Sequence, residues 1–230
     1  MILSDVLKRL TGRDYGRISF SDLGYLLQKG GGSFLRGAIW SLMRMRRPSG
    51  LMLGRGIKFI DASRLTLGRG VSLGHYSYLD CSAAQGVVLG NSVTIREFGW
   101  LQCRSGLNPG SGRVRIGDGT YIGPFSVLGA GGSLEIGDRC QIGARFTVSA
   151  ESHTKDENDS FVGGAVTRKG VVIGRECWIG NNVCVLDGVH IGDRCVIGAG
   201  SVVTRDIPAD STAYGTPARV RVPAAVTPIA

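Results

Sequence analysis

The sequence is short of several things. It has three histidines and seven prolines in 230 residues, and aromatics make up 7%. The N-terminus, Met1-Ile2-Leu3-Ser4-Asp5, carries no basic region and no unbroken apolar run, which argues against a secretory signal. No stretch reaches the roughly 18 apolar residues of a membrane span. A cytoplasmic location is therefore expected. The six cysteines (Cys81, Cys103, Cys140, Cys177, Cys184, Cys195) include no C-x-x-C pair. In the cytoplasm they are expected to be reduced thiols. The basic residues are scattered, with no aromatic-interleaved patch, so nucleic acid is not an expected partner.

Glycine, in contrast, is abundant, at 37 of 230 residues. There is no strict Gly-X-Y period, so collagen is excluded. A globular chain this rich in glycine must use it at recurring backbone positions. The net charge of +9 fits general solubility or an anionic partner, such as a nucleotide or an acidic membrane surface.

The recurrence has period six. From Ile173 the chain reads IGRECW, IGNNVC, VLDGVH, IGDRCV, IGAGSV, and similar runs start at Ile116 and Ile136. Looser copies begin at Leu53, Leu67 and Leu89. Of 20 such units, thirteen place Gly directly after the aliphatic residue and seventeen place a small residue four positions after it. Period six matches neither the helical 3.6 nor a plain alternating strand. It fits a short strand followed by a bend, with the aliphatic residue inward and the small one at the corner. Three six-residue sides make an 18-residue triangular coil, and coils stack as parallel strands about 4.8 Å apart. Cys140, Cys177 and Cys195 fall at the small inward position, as packing residues.

Coil starts at Leu67, Leu89, Ile116, Ile136, Ile173 and Ile191 are separated by 22, 27, 20, 37 and 18 residues. The excess over 18 always begins after the third side's aliphatic residue (Leu79, Leu101, Leu128, Val148), so every excursion leaves from one corner. The stretch Leu53 to Leu67, only 14 residues, reads as an irregular first coil.

These units resemble the hexapeptide pattern of the left-handed β-helix acyltransferases, over roughly 150 residues. The resemblance implies the left-handed turn; general chirality rules favour right-handed crossovers. The run VIGAGSVVTRDIPADSTAYGTPARV is similar to the closing coil and tail of acetyl-CoA-dependent sugar and xenobiotic O-acetyltransferases, most like those of polysaccharide biosynthesis. An all-β fold is expected: a helical extension over 1–50, a β-helix over 51–207 with a loop insertion at 149–171, and a C-terminal tail over 208–230 contributing to the CoA site. The resemblance also implies a homotrimer with each active site between two neighbouring β-helices.

The longest excursion carries SAESHTKDENDSFVGGAVTRKG, with His153 near its start. Histidine titrates near neutrality and suits a base that takes a proton from a hydroxyl attacking a thioester. The alternative is a solvated loop residue. His75 and His190 sit at outward positions on regular coils. Trp178-Ile179-Gly180 follows His153 by 25 residues, the separation seen in the resembling enzymes. The resemblance places Trp178 in the wall of the acceptor and thioester site; plain trimer packing is the other reading. It carries over Gly180, Asn181, Gly198 and Ala199 to the pantetheine arm, with the two glycines allowing close approach to the backbone. Thr204 and Arg205 fall near the nucleotide end, and Gly215, Pro217 and Arg219 at the adenine and phosphates. Arginine suits phosphate through its bidentate fork. No metal is expected. Galactoside-type enzymes place an asparagine beside the acceptor. Here that region reads IGPFSVLG, with Phe125 or Ser126 at the point, so the acceptor site is expected to differ. Glu151, Asp156 and Glu157, the acids near His153 in sequence, are the candidates to orient the imidazole; the alternative is a solvated polar loop.

Residues 1–50 lack the repeat, and Met1–Leu10 reads as one short helix. SFLRGAIWSLMRMRR, residues 33–47, puts Phe34, Ala38 and Leu42 on one helical stripe beside four arginines, and Pro48-Ser49-Gly50 ends it. It reads as a cap on the open first coil, as an interfacial helix on anionic lipid at the inner membrane face, or as both.

The leading expectation is O-acetylation of a sugar or lipid-linked sugar hydroxyl in cell-surface polysaccharide or lipopolysaccharide assembly. His153 acts as base in direct transfer from acetyl-CoA. Alternatives are an N-acetyltransferase on an amino sugar nucleotide, a xenobiotic O-acetyltransferase, a γ-type carbonic anhydrase needing three convergent histidines, and a non-catalytic scaffold.

Overall fold

A computed structural model of the chain describes residues 19–47, 49–103, 112–161 and 164–221, with Asp5, Lys8 and Gly16. The helix expected over Met1–Leu10 and the middle of the Cys103–Arg113 excursion otherwise lie outside the described residues.

From Met52 to Arg221 the chain is built of strands two to four residues long, separated by turns. They stack into three sheets, of nine, seven and six strands, forming the three sides of a left-handed parallel β-helix. The first sheet holds Met52–Leu53, Ser72–Leu73, Thr94–Ile95, Tyr121–Ile122, Gln141–Ile142, Trp178–Ile179 and Val196–Ile197, and ends in the hairpin Thr212–Gly215/Ala218–Arg221. The second holds Lys58–Ile60, Tyr78–Asp80, Trp100–Gln102, Val127–Gly129, Thr147–Ser149, Cys184–Val185 and Val202–Val203. The third holds Leu65–Leu67, Val87–Leu89, Val114–Ile116, Leu134–Ile136, Val171–Ile173 and His190–Ile191.

Successive side chains of a strand face opposite ways, so the aliphatic residue of each unit enters the prism. Leu67, Leu89, Ile116, Ile136, Ile173 and Ile191 pair in unbroken register down the third sheet. These are the coil starts that the spacing gives. The irregular first coil is a correction. Leu53 pairs with Leu73 in the first sheet, and Leu67 belongs to the third. The first coil is complete, and the 14-residue count compared residues on different sides.

The glycine after each aliphatic residue is required by coil stacking. A Cβ on Gly123 would stand 2.5 Å from the Gly143 carbonyl carbon, and one on Gly137 2.5 Å from the Arg175 nitrogen. Those atoms are backbone of the next coil and cannot yield without opening the stack.

The small inward position is chemically uniform at the corner between the third and first sheets. The Thr120 hydroxyl donates to the Gly137 carbonyl at 2.7 Å. Cys140, Cys177 and Cys195 donate their thiols to the carbonyls of Gly174, Gly192 and Pro208 at 3.1, 3.1 and 3.0 Å. All three cysteines are buried packing residues. Burial also pushes the Cys81 and Cys103 thiols up to about 12, so neither is a nucleophilic thiolate at pH 8. A maleimide at pH 8 is expected to reach half-buried Cys184 before any other cysteine. Labelling of Cys81 or Cys103 in native protein, read by peptide mass, would contradict this packing.

The N-terminal end is closed by a helix over Gly32–Met43, continuous with a π-helical stretch Leu27–Gly31 and a helix Phe20–Leu26. Gly37 lies directly on the Leu51 backbone, where any Cβ would collide with the Leu51 carbonyl. Arg36 Nε donates to the Leu53 carbonyl at 2.8 Å, and Arg46 to the Leu65 carbonyl at 2.9 Å. The Trp40 ring packs on Phe59 with centroids 5.4 Å apart. The cap therefore touches all three sides of the first coil and satisfies carbonyls that an open solenoid end would leave exposed. The expected stripe is displaced. Gly37 and Ser41 are the buried positions, Phe34 and Ala38 are half-buried, and Leu42 faces outward.

Candidate active site

Every excursion does leave from one corner, that between the second and third sheets. The longest departs after Ser149 and rejoins at Val171. Its root is a two-stranded antiparallel arm pairing Ser152 with Thr167 and His153 with Val166. The Thr154 amide extends the arm by donating to the Ala165 carbonyl at 2.9 Å. Asp187 on the next coil anchors the returning strand, accepting from the Gly170 and Lys169 amides at 2.8 and 3.2 Å. His153 therefore stands on a hydrogen-bonded arm, with its side chain exposed.

None of the three nearby acids holds the imidazole. Glu151 pairs with Arg168 at 3.5 Å. Asp156 accepts the Asn158 and Ser160 amides, both at 2.9 Å, and so organises the loop's own turn. Glu157 is exposed. Among the described residues, no hydrogen bond joins a carboxylate to the His153 ring.

Trp178 projects from the first sheet, 56% exposed. That sheet is the side opposite the corner from which the His153 arm leaves. Phe125 lies at the corner between the first and second sheets, two coils before Trp178. It adopts φ +60°, a left-handed conformation uncommon for a bulky residue. Its ring stacks on Phe98 at 4.9 Å, and Phe98 on Tyr76 at 5.6 Å. All three rings are exposed. This aromatic column is the feature the sequence reading missed, although 22 and 27 residues separate its members, the same as the coil spacings. Ser126 is turned inside, its hydroxyl donating to the Gly123 carbonyl at 2.8 Å. Of Phe125 and Ser126, only Phe125 faces outward.

The residues expected to hold the pantetheine arm gather at the far end of the same corner. Gly180 and Asn181 turn the sixth coil there, and Gly198 and Ala199 turn the seventh. The C-terminal hairpin folds back onto this end. The Gly215 amide donates to the Ser201 hydroxyl at 3.2 Å, and the Thr216 hydroxyl to the Gly200 carbonyl at 3.3 Å, bringing Pro217 close. Arg219 pairs across the hairpin with Tyr214 and is exposed. A Cβ on Gly200 would meet nothing within 4 Å, so the backbone there is open to a ligand. Gly180 and Gly198 have a structural reason of their own: a Cβ would lie 2.6 Å from the Ala199 nitrogen and 2.7 Å from the Tyr214 Cβ. Asn181 Oδ1 is committed to the Ala144 amide at 2.8 Å, which leaves its NH2 group for other contacts. Thr204 and Arg205 lie apart from this cluster, after the last strand of the second sheet, and both are exposed.

The three histidines do not converge. His75 lies at the corner between first and second sheets, where its Nδ1 accepts the Arg55 amide at 3.0 Å. His190 is on a third-sheet strand, and His153 is on the arm. Among the described residues no group of three His, Cys, Asp or Glu is placed to hold a metal ion.

A left-handed β-helix with its excursions at one corner and a hairpin folded over its last coils defines a class of hexapeptide-repeat transferases. Residues 170–205 match the family model described as bacterial transferase hexapeptide (six repeats). The repeat over those residues is that of the hexapeptide transferases, and the relatives the chain matches are acetyltransferases. It is 37% identical over 114 residues to a galactoside O-acetyltransferase of Lactococcus lactis, covering 50% of this chain and 55% of that protein. It is 34% identical over 128 residues to the galactoside O-acetyltransferase of Escherichia coli K12, covering 56% and 62%. The chain thus spans little more than half the length of these curated relatives. Among solved structures, a point mutant of AntD, an N-acyltransferase from Bacillus cereus in complex with dTDP and coenzyme A, superimposes with a TM-score of 0.55 at 21% identity. That superposition covers 68% of this chain and 82% of the other, and concerns the fold alone.

Proposed function

We propose that the protein transfers an acetyl group from acetyl-CoA to a sugar hydroxyl, in a homotrimer whose active sites lie between copies. His153 of one copy faces the Trp178 side and the hairpin corner of its neighbour. The observation that carries this reading is the placement of His153 and Trp178 on opposite sides of one prism. In one chain the base is exposed and alone; a neighbour's first sheet would supply the wall, the thioester and the exclusion of water.

The chemistry needs few groups. The imidazole takes the proton of the acceptor hydroxyl as its oxygen attacks the thioester carbonyl carbon. The tetrahedral intermediate collapses, the carbon–sulfur bond breaks, and the imidazolium returns the proton to the departing CoA thiolate. No covalent enzyme intermediate is needed. The corner at Asn181, Ala199 and Gly200 suits an extended pantetheine arm. Arg219, with Arg205 at the other corner, offers guanidinium groups for phosphate. Phe125 in place of asparagine, beside Phe98 and Tyr76, supports an acceptor that rests on aromatic surface.

The proposed setting is cell-surface polysaccharide or lipopolysaccharide assembly, on the cytoplasmic side, with a sugar or lipid-linked sugar as acceptor. An amine acceptor on an amino sugar nucleotide is the second reading. Release of CoA thiol from acetyl-CoA, followed with hydroxyl and amine acceptors in parallel, tests both. Turnover with hydroxyl sugars supports the first; turnover only with amines would overturn it in favour of the second.

A further inference from the structure

The cap helix has a second face. Its inward side is used up by Gly37, Ser41, Arg36 and Trp40 against the first coil. Leu35, Ile39, Leu42 and Met43 point the other way, 61%, 49%, 63% and 80% exposed, and Met45 beyond them is 97% exposed. Leu27 continues this apolar surface along the π-helical stretch. A monomer rarely leaves so many large apolar side chains together in water.

The segment that carries this face is basic, bounded by Asp22 and Asp61. Residues 23 to 60 contain seven cations, Lys29, Arg36, Arg44, Arg46, Arg47, Arg55 and Lys58, and no Asp or Glu. Arg44, Arg46 and Arg47 follow the helix directly and are exposed. Such a pattern, an exposed apolar face rimmed by cations, is what an anionic lipid surface recognises. Among the described residues no helix is long and apolar enough to cross a membrane, so the contact would be one that lies on the surface.

We propose that the outward face of Gly32–Met43, with Met45, Arg44 and Arg47, docks the protein on an anionic bilayer, Leu35, Ile39, Leu42 and Met43 entering the headgroup boundary. Because the helix lies across the open end of the prism, and it and the Arg46 that follows it together touch all three sides, docking stands the β-helix on end. The His153 arm leaves the fifth coil, about four inter-coil steps of ~4.8 Å above the docked end. An acceptor anchored in the same bilayer would have to project on the order of 20 Å to reach it, which favours a lipid-anchored chain of several sugars. That last step rests on the acetyl-transfer reading. The docking does not: a protein that binds vesicles and acetylates nothing leaves it standing.

The test is co-sedimentation of the full chain with vesicles of phosphatidylcholine alone or mixed with phosphatidylglycerol. Binding to the anionic vesicles, weakened by salt, is expected. Arg44→Glu and Arg47→Glu should each weaken it about five-fold or more, from roughly 1 kcal/mol per basic residue. Ile39→Asp with Leu42→Asp should abolish it while the unfolding midpoint stays put, since neither side chain faces the first coil. Failure of the wild type to sediment with anionic vesicles, or sedimentation unaffected by the paired aspartates, would overturn the proposal. A change of oligomeric state in that pair, with no vesicle binding by the wild type, would instead make the face a contact between copies.

Discussion

His153→Ala is expected to lower turnover by about 10² to 10⁴-fold, the usual contribution of a general base, with acetyl-CoA affinity unchanged. The two effects separate because His153 is on the excursion arm, while the residues proposed to hold the cofactor are on the coil corner and the C-terminal hairpin. Nothing in the β-helix core leans on this side chain, which is exposed and makes no hydrogen bond to a carboxylate among the described residues. Its removal should therefore leave the unfolding midpoint in place. Turnover within a few-fold of wild type, with hydroxyl acceptors saturating, would mean that the acceptor proton goes elsewhere.

Phe146→Ala is the second large effect, and it acts on stability. Phe146 is fully buried and is the largest of the fully buried side chains among the described residues. It occupies a position in the repeat where Ser126 and Val183 stand on the adjacent coils. A narrow prism cannot collapse around a lost benzyl group, because its width is fixed by three hydrogen-bonded sheets. The full cost of a buried Phe→Ala change, about 3 to 5 kcal/mol, is expected in chemical denaturation. A cost below about 1 kcal/mol would show that the coils can close inward after all.

The same residue marks how far the sequence could be read. Seventeen of 20 units carry a small residue at that position, and the period alone gave the sides of the prism, the inward column and the corner of the excursions. Phe146 breaks the pattern because one coil can hold a large side chain where the residues above and below are small, a relation visible only once the coils are stacked. The error at Leu53 has a similar cause. Between Phe59 and Leu67 the chain takes eight residues instead of six, and a count by sixes loses its side there. The arm under His153 was legible as an excursion but not as a hairpin, since its pairing of Ser152 with Thr167 spans residues with no period. The cap helix was legible as amphipathic, yet its contact face was misassigned: a helix that packs through Gly37 and Ser41 hides the closest approach in two small residues.

The aromatic column shows a limit of another kind. Tyr76, Phe98 and Phe125 repeat at the coil spacing, but they occupy left-handed turn positions that a repeat pattern reads as polar corners. All three are exposed at the corner proposed for the cofactor, and the proposed acceptor surface rests on them.

The central claim is that each site is shared, with His153 from one copy and Trp178 from the next. Mixing subunits tests it directly. His153→Ala and Trp178→Asp should each be nearly inactive alone. Refolded together in equal amounts, they form rings in which about a quarter of the interfaces pair an intact His153 with an intact Trp178. Activity should return to about that fraction of wild type. If mixed trimers form, as shown by differently tagged copies purifying together, yet the mixture stays as inactive as its parents, the two residues do not meet across an interface and the account fails.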